Sequence, residues 1–459
     1  MFKKINKYEL LELICIFVLT LFFNLVCLTI DLDEIWNYGF SFNIASGLIP
    51  YKDFNMVITP LFPIIVGTIM ALTSKSIITL HIINAIICTF IFKYMKKNYP
   101  KCYYIPYSIF LFFSLPNYNL LCLLLLYIII DIDRDKTNDY LVGLLIGIVF
   151  ITKQNIGVYL LIPALLTNIK SIKKISKRIL GFIIPIIVLF IYLLLNNNLY
   201  EFIDYCFLGM KEFATKNLDI NYVYLIILVI GIVYSIIRFF QTKENKYLYL
   251  LFYSLIAFPI IQSYHVILSF IPVLGFILNE LNLNKRIINI AFIIFISIIF
   301  TFNIYNIYTH KYNYPNETTA YKYRKILPVD AESIVKVSKY ITSINDRLYF
   351  LSSTAYTVEL ENKVPPNKYN LLNDGNLGLN GETKLINEIK NTCAKEKCTF
   401  IIDITDIYDT KSAQFNKNIP KYIMDNYQEY GSIYNYTLKV YKNGKEIDKV
   451  TGMTNTVEH

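Results

Sequence analysis

Long apolar segments alternate with short polar loops over roughly the first two thirds of the chain. The first segment, Leu10 to Ile30, contains no Lys or Arg and carries Glu12 only near its start. A helix of this length, at about 1.5 Å per residue, spans the hydrocarbon core of a membrane. It lacks a small-residue cleavage pattern and is followed by further apolar segments, which predicts a membrane anchor and not a removed signal peptide. The pattern predicts about eleven spans, several of them short, and the last is Ile287 to Ile307.

The chain beyond residue 307 has a different pattern, which is polar and rich in turns. We therefore predict a multispanning α-helical transmembrane domain, residues 1–307, followed by a small α/β domain, residues 308–459. Within the second unit Cys393 and Cys398 are near enough in sequence to pair, but the spacing leaves a disulfide open. Apolar periodicity predicts helices over 331–344 and 383–393 and short strands over 347–351, 400–404 and 437–440.

Composition and charge agree with a membrane protein. The chain is 55% hydrophobic and only 17% charged, which is outside the usual range for soluble globular proteins. A net charge of +10 would suit a nucleic-acid partner, but the basic residues fall in short loops between apolar segments. Their positions therefore indicate which loops are cytoplasmic. Lys3, Lys4 and Lys7 precede the first span, which predicts a cytoplasmic N-terminus. An odd number of spans then places residues 308–459 outside.

Two apolar stretches compete to be the second span. Val57 to Leu72 is short and is interrupted by Pro60 and Pro63, whereas Ile77 to Phe92 is continuous. If only the second stretch crosses, the basic loop at 93–101 is inside, as the charge bias requires. Val57 to Leu72 is then a juxtamembrane or re-entrant helix on the outer side. If both stretches cross, the basic loop lies outside, against that bias.

The first predicted outer loop, residues 31–63, is unusually acidic for this chain. Asp33 and Glu34 follow the first span almost directly, and Asp53 comes later in the loop. Apolar residues recur at helical spacing between them, which predicts a helix over 34–49 that lies along the membrane surface. One carboxylate could cap that helix, but a cap does not need the whole cluster. Carboxylates at the membrane boundary are what an enzyme needs to deprotonate a hydroxyl beside a lipid-borne substrate.

This loop resembles the first outer loop of the GT-C membrane glycosyltransferases, which include protein O-mannosyltransferases and lipid A aminoarabinose transferases. The residues that carry the resemblance are Asp33-Glu34, Gly47-Leu-Ile-Pro-Tyr-Lys-Asp-Phe54 and Pro60-Leu-Phe-Pro63. The resemblance implies a polyprenyl-phosphate-linked sugar as donor and Asp33 as the catalytic base, with Glu34 as the second candidate. Many members carry another acidic residue in the next outer loop, where this chain has Pro116-Asn-Tyr-Asn119. That departure argues against a metal site built from two carboxylates, so a divalent cation is left open as a cofactor.

Binding the phosphate of such a donor needs cations, and the predicted outer side has few of them. Lys153 lies at an outer helix end, although it could instead extend its ammonium group to the lipid headgroups. His265 could bind the acceptor or the phosphate, or could simply cap its helix. The candidates for substrate binding are Tyr51, Lys52, Asp53, Lys153, Gln154 and His265.

Together with these residues, the resemblance implies a glycosyltransferase of the bacterial cytoplasmic membrane that acts on the outer face. Its acceptor would be an envelope glycan, lipid or protein. The sequence has no Walker-type phosphate loop and no Rossmann glycine-rich turn, which agrees with a donor presented from lipid and not with a nucleotide bound inside. Two alternatives remain. A lipid-linked oligosaccharide polymerase or ligase should carry Arg and His in a large late outer loop, and a transporter or flippase should show paired halves with broken spans near the midplane.

Overall fold

The structure is a computed structural model. We call residues 1–307 the membrane part and residues 308–459 the C-terminal part. The last predicted span, 287–307, and the predicted helix over 331–344 fall mostly outside the described residues. The described residues are 6–26, 32–112, 117–135, 138–210, 222–258, 261, 263–281, 290, 293–294, 297–298, 301, 305, 339–341, 343–352, 359, 363–369, 372, 374–404, 407, 415–433 and 438–443.

Helices make up the first part of the chain. They are α1 Lys7–Val26, α2 Leu32–Ala45, α3 Leu61–Leu72, α4 Ile77–Asn98, α5 Tyr104–Phe112, α6 Tyr118–Asp135, α7 Asp139–Thr152, α8 Gln154–Leu166, α9 Ile172–Leu195, α10 Leu199–Ile203, α11 Tyr222–Thr242, α12 Asn245–Tyr253 and α13 Ser263–Glu280. Among the described residues, four helices are long and apolar enough to cross a membrane: α1, α4, α9 and α11. The helices α3, α7, α8 and α13 are apolar and shorter.

The two stretches that compete for the second span differ in length in the way that the sequence indicates. α3 has only 12 residues, whereas α4 has 22. Pro60 precedes α3 and Pro63 lies in its first turn, where the missing N–H of proline has no intrahelical partner to lose. Lys96 and Lys97 lie in the last turn of α4, where positive charge is favoured by the helix dipole. That α3 stays on the outer side remains a prediction.

α7 and α9 approach each other at glycine positions. A Cβ atom at Gly143 would lie 2.0 Å from the carbonyl oxygen of Arg178, and one at Gly181 would lie 2.2 Å from the α7 backbone. The Arg178 guanidinium is buried between the helices, where it contacts Asp133 of α6 and lies 2.7 Å from Asp139 of α7. A buried guanidinium is stable only when carboxylates pair with it in this way. The contacts therefore join three helices at the end that the basic loops predict to be cytoplasmic.

The C-terminal part contains a four-stranded mixed sheet with the order β1-β2-β4-β3. Its strands are β1 Arg347–Leu351, β2 Cys398–Asp403, β3 Gln428–Ile433 and β4 Leu438–Lys442. β1 and β2 are parallel and are connected through α14, Gly381–Cys393, whereas the other pairs are antiparallel. A further helix, α15 Asn418–Asn426, precedes β3.

Side chains alternate across this sheet and form two apolar clusters. Tyr349 and Phe400 point to the face where Leu385 of α14 and Ile419 of α15 pack, and Phe350 lies in the cluster on the opposite face. The sheet therefore has an apolar core of its own.

The sequence predicts three of the four strands and the helix α14, but it does not predict β3 or α15. β3 is an edge strand with only its last residue, Ile433, buried, so its sequence shows no regular alternation. Cys393 and Cys398 form a disulfide that joins the end of α14 to the start of β2, with the two Cα atoms 5.5 Å apart. The sequence left that pairing open.

α2 differs from its prediction. It ends at Ala45, and its described side chains from Glu34 to Asn43 are buried except for the half-buried Trp36. The reason is that residues distant in sequence cover its polar side, since Asn43 Nδ2 donates to Glu359 Oε1 at 2.9 Å. The predicted end near Ile49 is therefore wrong, and the helix is packed on its polar side; that it lies along the membrane surface remains a prediction.

The topology can be tested with two exposed lysines that lie in different parts of the chain, Lys177 of α9 and Lys421 of α15. In intact cells we expect Lys421→Cys to react with a membrane-impermeant maleimide, because the sheet is predicted outside, and Lys177→Cys to react only after permeabilisation. Labelling of the unsubstituted protein measures the background from its own thiols. The reverse labelling order would show that the topology is inverted.

Candidate functional site

The first turn of α2 is attached to α4. Asp33 lies in that turn, and its side chain is outside the described residues. Glu34 Oε1 lies 3.1 Å from Nε2 of His81, and both residues are only 1% exposed. Sequence reasoning did not select His81. The signal that could have found it is its position, because an ionisable residue inside an apolar span is costly and is usually retained for a function.

The loop after α2 is ordered by its own side chains. Tyr51 has a φ of 68°, in the left-handed region that costs a non-glycine residue roughly 1–2 kcal/mol. Its ring is fully buried against Phe202, and its hydroxyl donates to the carbonyl of Ile58 at 2.7 Å, contacts that offset the cost. Asp53 Oδ2 accepts from the Ile49 N–H at 2.7 Å and closes the turn, whereas Lys52 is exposed. Tyr51 and Asp53 thus hold the loop in shape, and Lys52 extends from it.

The C-terminal part contacts this loop directly. The Asn55 N–H donates to the carbonyl of Lys368 at 2.9 Å, and Asn55 Nδ2 donates to the carbonyl of Asn376 at 2.8 Å. The ammonium group of Lys368 lies 5.3 Å from the Tyr205 ring centre. Burial lowers the pKa of Lys368, and the largest opposing influence is the negative charge of Glu201. The first outer loop is therefore closed on one side by the C-terminal part.

Asp204 makes a second connection between the two parts. It is buried at the start of a π-helical segment, Asp204–Leu208, that follows α10. Oδ1 accepts from the Leu379 N–H at 2.9 Å, and Oδ2 accepts from Lys384 Nζ at 2.7 Å. Asp204 is therefore covered by the start of α14 and by the residues just before it.

A second group of polar side chains surrounds Lys153, which lies between the end of α7 and the start of α8. Lys153 Nζ donates to Asn119 Oδ1 at 2.9 Å and lies 5.0 Å from the Tyr118 ring centre. Asn119 is fully buried, and its Nδ2 is a donor without a partner among the described residues. An unpaired buried donor is costly, so this amide is a candidate ligand contact.

His265 belongs to the same group. It follows Tyr264, whose hydroxyl is hydrogen-bonded by Asn117, and the Asn117 side chain also accepts from the Asn119 N–H at 2.8 Å. The Nδ1 of His265 is buried and has no partner within the described part of the chain. These contacts bring together the N-terminal ends of α6, α8 and α13. Helix N-termini carry partial positive charge and free N–H groups, so the group around Lys153 suits an anion.

Gln154 connects the first outer loop to the segment after α10. Its Nε2 donates to the carbonyls of Val57 and Cys206, at 3.2 and 3.0 Å. The sequence predicts Gln154 as a substrate-binding residue. Its side-chain amide joins two backbone segments, and its Oε1 is buried without a hydrogen-bond partner among the described residues, so substrate binding by Gln154 stays a prediction.

The described residues contain no group of three or more His, Cys, Asp or Glu side chains that could hold a metal ion. Glu34 and His81 are two side chains of the metal-binding kind in contact with each other, and the side chain of Asp33 lies outside the described residues. A divalent cation stays an open question from the sequence.

Comparison with solved structures identifies the fold. The chain is similar to ArnT from Cupriavidus metallidurans, in a crystal structure described as bound to undecaprenyl phosphate, with a TM-score of 0.58 and 10% sequence identity. The match covers 96% of this chain and 99% of that one. No family model and no curated protein matches the sequence. The GT-C fold that the sequence resemblance implies is confirmed, and the chain is a helical multispanning membrane protein.

The connection through Asp204 gives a testable prediction. Asp204→Ala removes the hydrogen bonds to Leu379 and to Lys384 of α14, so we expect limited proteolysis in detergent to release the C-terminal part several-fold faster. Glu201→Ala is the matched control, since Glu201 is near the same segment but lacks those bonds among the described contacts. Equal cleavage rates for the two variants would show that Asp204 does not hold the C-terminal part in place.

Proposed function

We propose that this protein is a glycosyltransferase of the bacterial cytoplasmic membrane that takes its sugar from a polyprenyl-phosphate-linked donor on the outer face. The observation that carries the proposal is the whole-chain likeness to ArnT, whose structure is described with undecaprenyl phosphate bound. The positions of the ionisable residues support it. Acidic residues lie in the first outer loop, and Lys153 lies where the N-terminal ends of α6, α8 and α13 come together.

Asp33 is the proposed general base. In the transfer step the acceptor hydroxyl would give its proton to the Asp33 carboxylate while its oxygen attacks the anomeric carbon of the sugar. The bond between that carbon and the phosphate oxygen would break, and the lipid phosphate would leave with the electron pair. The other candidate base, Glu34, is already in contact with His81, which makes it the less suitable proton acceptor.

The group around Lys153 is the proposed site for the lipid phosphate. Lys153 would supply the positive charge, and Asn119 Nδ2 and the ends of α6, α8 and α13 would supply hydrogen-bond donors. His265 would contact the same phosphate from the start of α13. Such donors stabilise the departing phosphate more strongly inside a low-dielectric site than in water.

The acceptor is proposed to approach from the side of the first outer loop, where Lys52 is exposed. Tyr51 and Asp53 would act by keeping the loop in shape. An envelope glycan, a lipid or a protein would each present a suitable hydroxyl. The C-terminal part, which contacts this loop through Lys368 and Asn376, would form the remaining wall of the acceptor site.

The base assignment is tested with the purified protein and a panel of radiolabelled polyprenyl-phosphate sugars, with envelope extract as the acceptor. We expect Asp33→Asn to lower the rate of transfer by about 100-fold or more, because an amide does not accept the proton. Thermal unfolding of both proteins in detergent controls for folding. Undiminished transfer by Asp33→Asn would refute the assignment, and no transfer by the unsubstituted protein from any donor would favour a transporter.

The phosphate site is tested by removing the charge of Lys153 while keeping an apolar side chain. We expect Lys153→Met to raise the KM for the lipid donor by about tenfold or more, since a charge-assisted hydrogen bond to phosphate is lost. Lys177→Met is the matched control, because Lys177 is exposed in the predicted inner loop. An equal donor KM in both variants would place the phosphate elsewhere.

A further inference from the structure

The contact between Glu34 and His81 is unlike a contact made by a group that reacts with substrate. Both residues are 1% exposed, and Glu34 Oε1 lies 3.1 Å from His81 Nε2. A carboxylate that receives a proton from a bound hydroxyl must be reached by that hydroxyl within hydrogen-bond distance. Glu34 is enclosed by protein and directed at α4, so the geometry does not suit a base.

The same contact joins two helices that are separated in sequence by α3. The C-terminal half of α2 is held by other contacts: Gly67 of α3 lets the Ser41 carbonyl approach, and Asn43 is bound to Glu359. At the first turn of α2, the contact between Glu34 and His81 joins the helix to α4. Successive residues of an α-helix are about 100° apart around its axis, so attaching Glu34 also sets the rotation of the turn that carries Asp33.

We infer that Glu34 and His81 form a positioning pair that fixes the first turn of α2, and with it Asp33, for the transfer reaction. This inference rests on the proposed function for its kinetic consequence. The pair acts through the backbone of α2 and does not contact the substrate. A buried carboxylate that loses its partner is strongly disfavoured, so removal of either side chain should move the turn.

The kinetic test separates this role from that of a base. Glu34→Gln keeps an oxygen that can accept a hydrogen bond from His81, whereas Glu34→Ala does not. We expect Glu34→Gln to retain most of the transfer rate. Glu34→Ala should lower kcat by about 10- to 100-fold while the donor KM changes less than about twofold, because a small misplacement of a reacting group is costly to the rate. If Glu34→Gln is as inactive as Glu34→Ala, Glu34 is the base and the inference is wrong.

A double-mutant comparison tests whether the two residues act together. His81→Ala should lower kcat as much as Glu34→Ala, and the double variant should be no slower than either single variant. Additive losses would show two independent roles and overturn the pair. Ser235→Ala, which removes a buried hydroxyl in α11, controls for a general loss of stability. Unchanged kcat per folded molecule with only a lower unfolding temperature would assign the pair to stability alone.

A second measurement does not depend on transfer activity. In an Asp33→Cys background, the alkylation rate at position 33 reports the position of the first turn of α2. We expect Glu34→Ala and His81→Ala to change that rate several-fold and Glu34→Gln to leave it nearly unchanged. Equal rates in all these variants would refute positioning even if no sugar donor is found. Absence of transfer with the expected alkylation pattern would refute the proposed function alone.

Discussion

The polar side chains of α2 have to be satisfied inside the protein, because they are buried and cannot hydrogen-bond to water. Glu34 contacts His81 of α4, and Asn43 donates a hydrogen bond to Glu359 of the C-terminal part. Each contact pairs a buried polar group that would be costly in free energy if it were left without a hydrogen-bond partner. The position of the first outer loop therefore depends on partners that come from both sides of it.

Two groups of buried polar side chains lie on the side of the protein that is predicted to face outward. One lies at the first turn of α2, and the other lies around Lys153, where Asn119 and the helix N-termini converge. Gln154 connects their supporting backbones by donating to the carbonyls of Val57 and Cys206. A transfer reaction needs a proton acceptor and an anion site held at a constant separation, and rigid backbone between them provides it.

The C-terminal part belongs to this arrangement and is not simply attached to the membrane helices. Its backbone accepts hydrogen bonds from Asn55, and its α14 binds Asp204. These contacts come from two different segments of the membrane part, so the C-terminal part restrains both of them.

The sequence by itself determined the features that depend on neighbours along the chain: the apolar helices, the short α3, the strands β1, β2 and β4, and the acidic first outer loop. Periodicity carries this information because a helix or strand repeats its buried face at fixed intervals. Only the tertiary structure decided that α2 is covered on its polar side, that Glu34 faces His81 and that Asp204 is buried under α14. Nothing in a local pattern identifies such partners, because they are separated by many residues and are chosen by how the helices pack and by which buried polar groups must be paired.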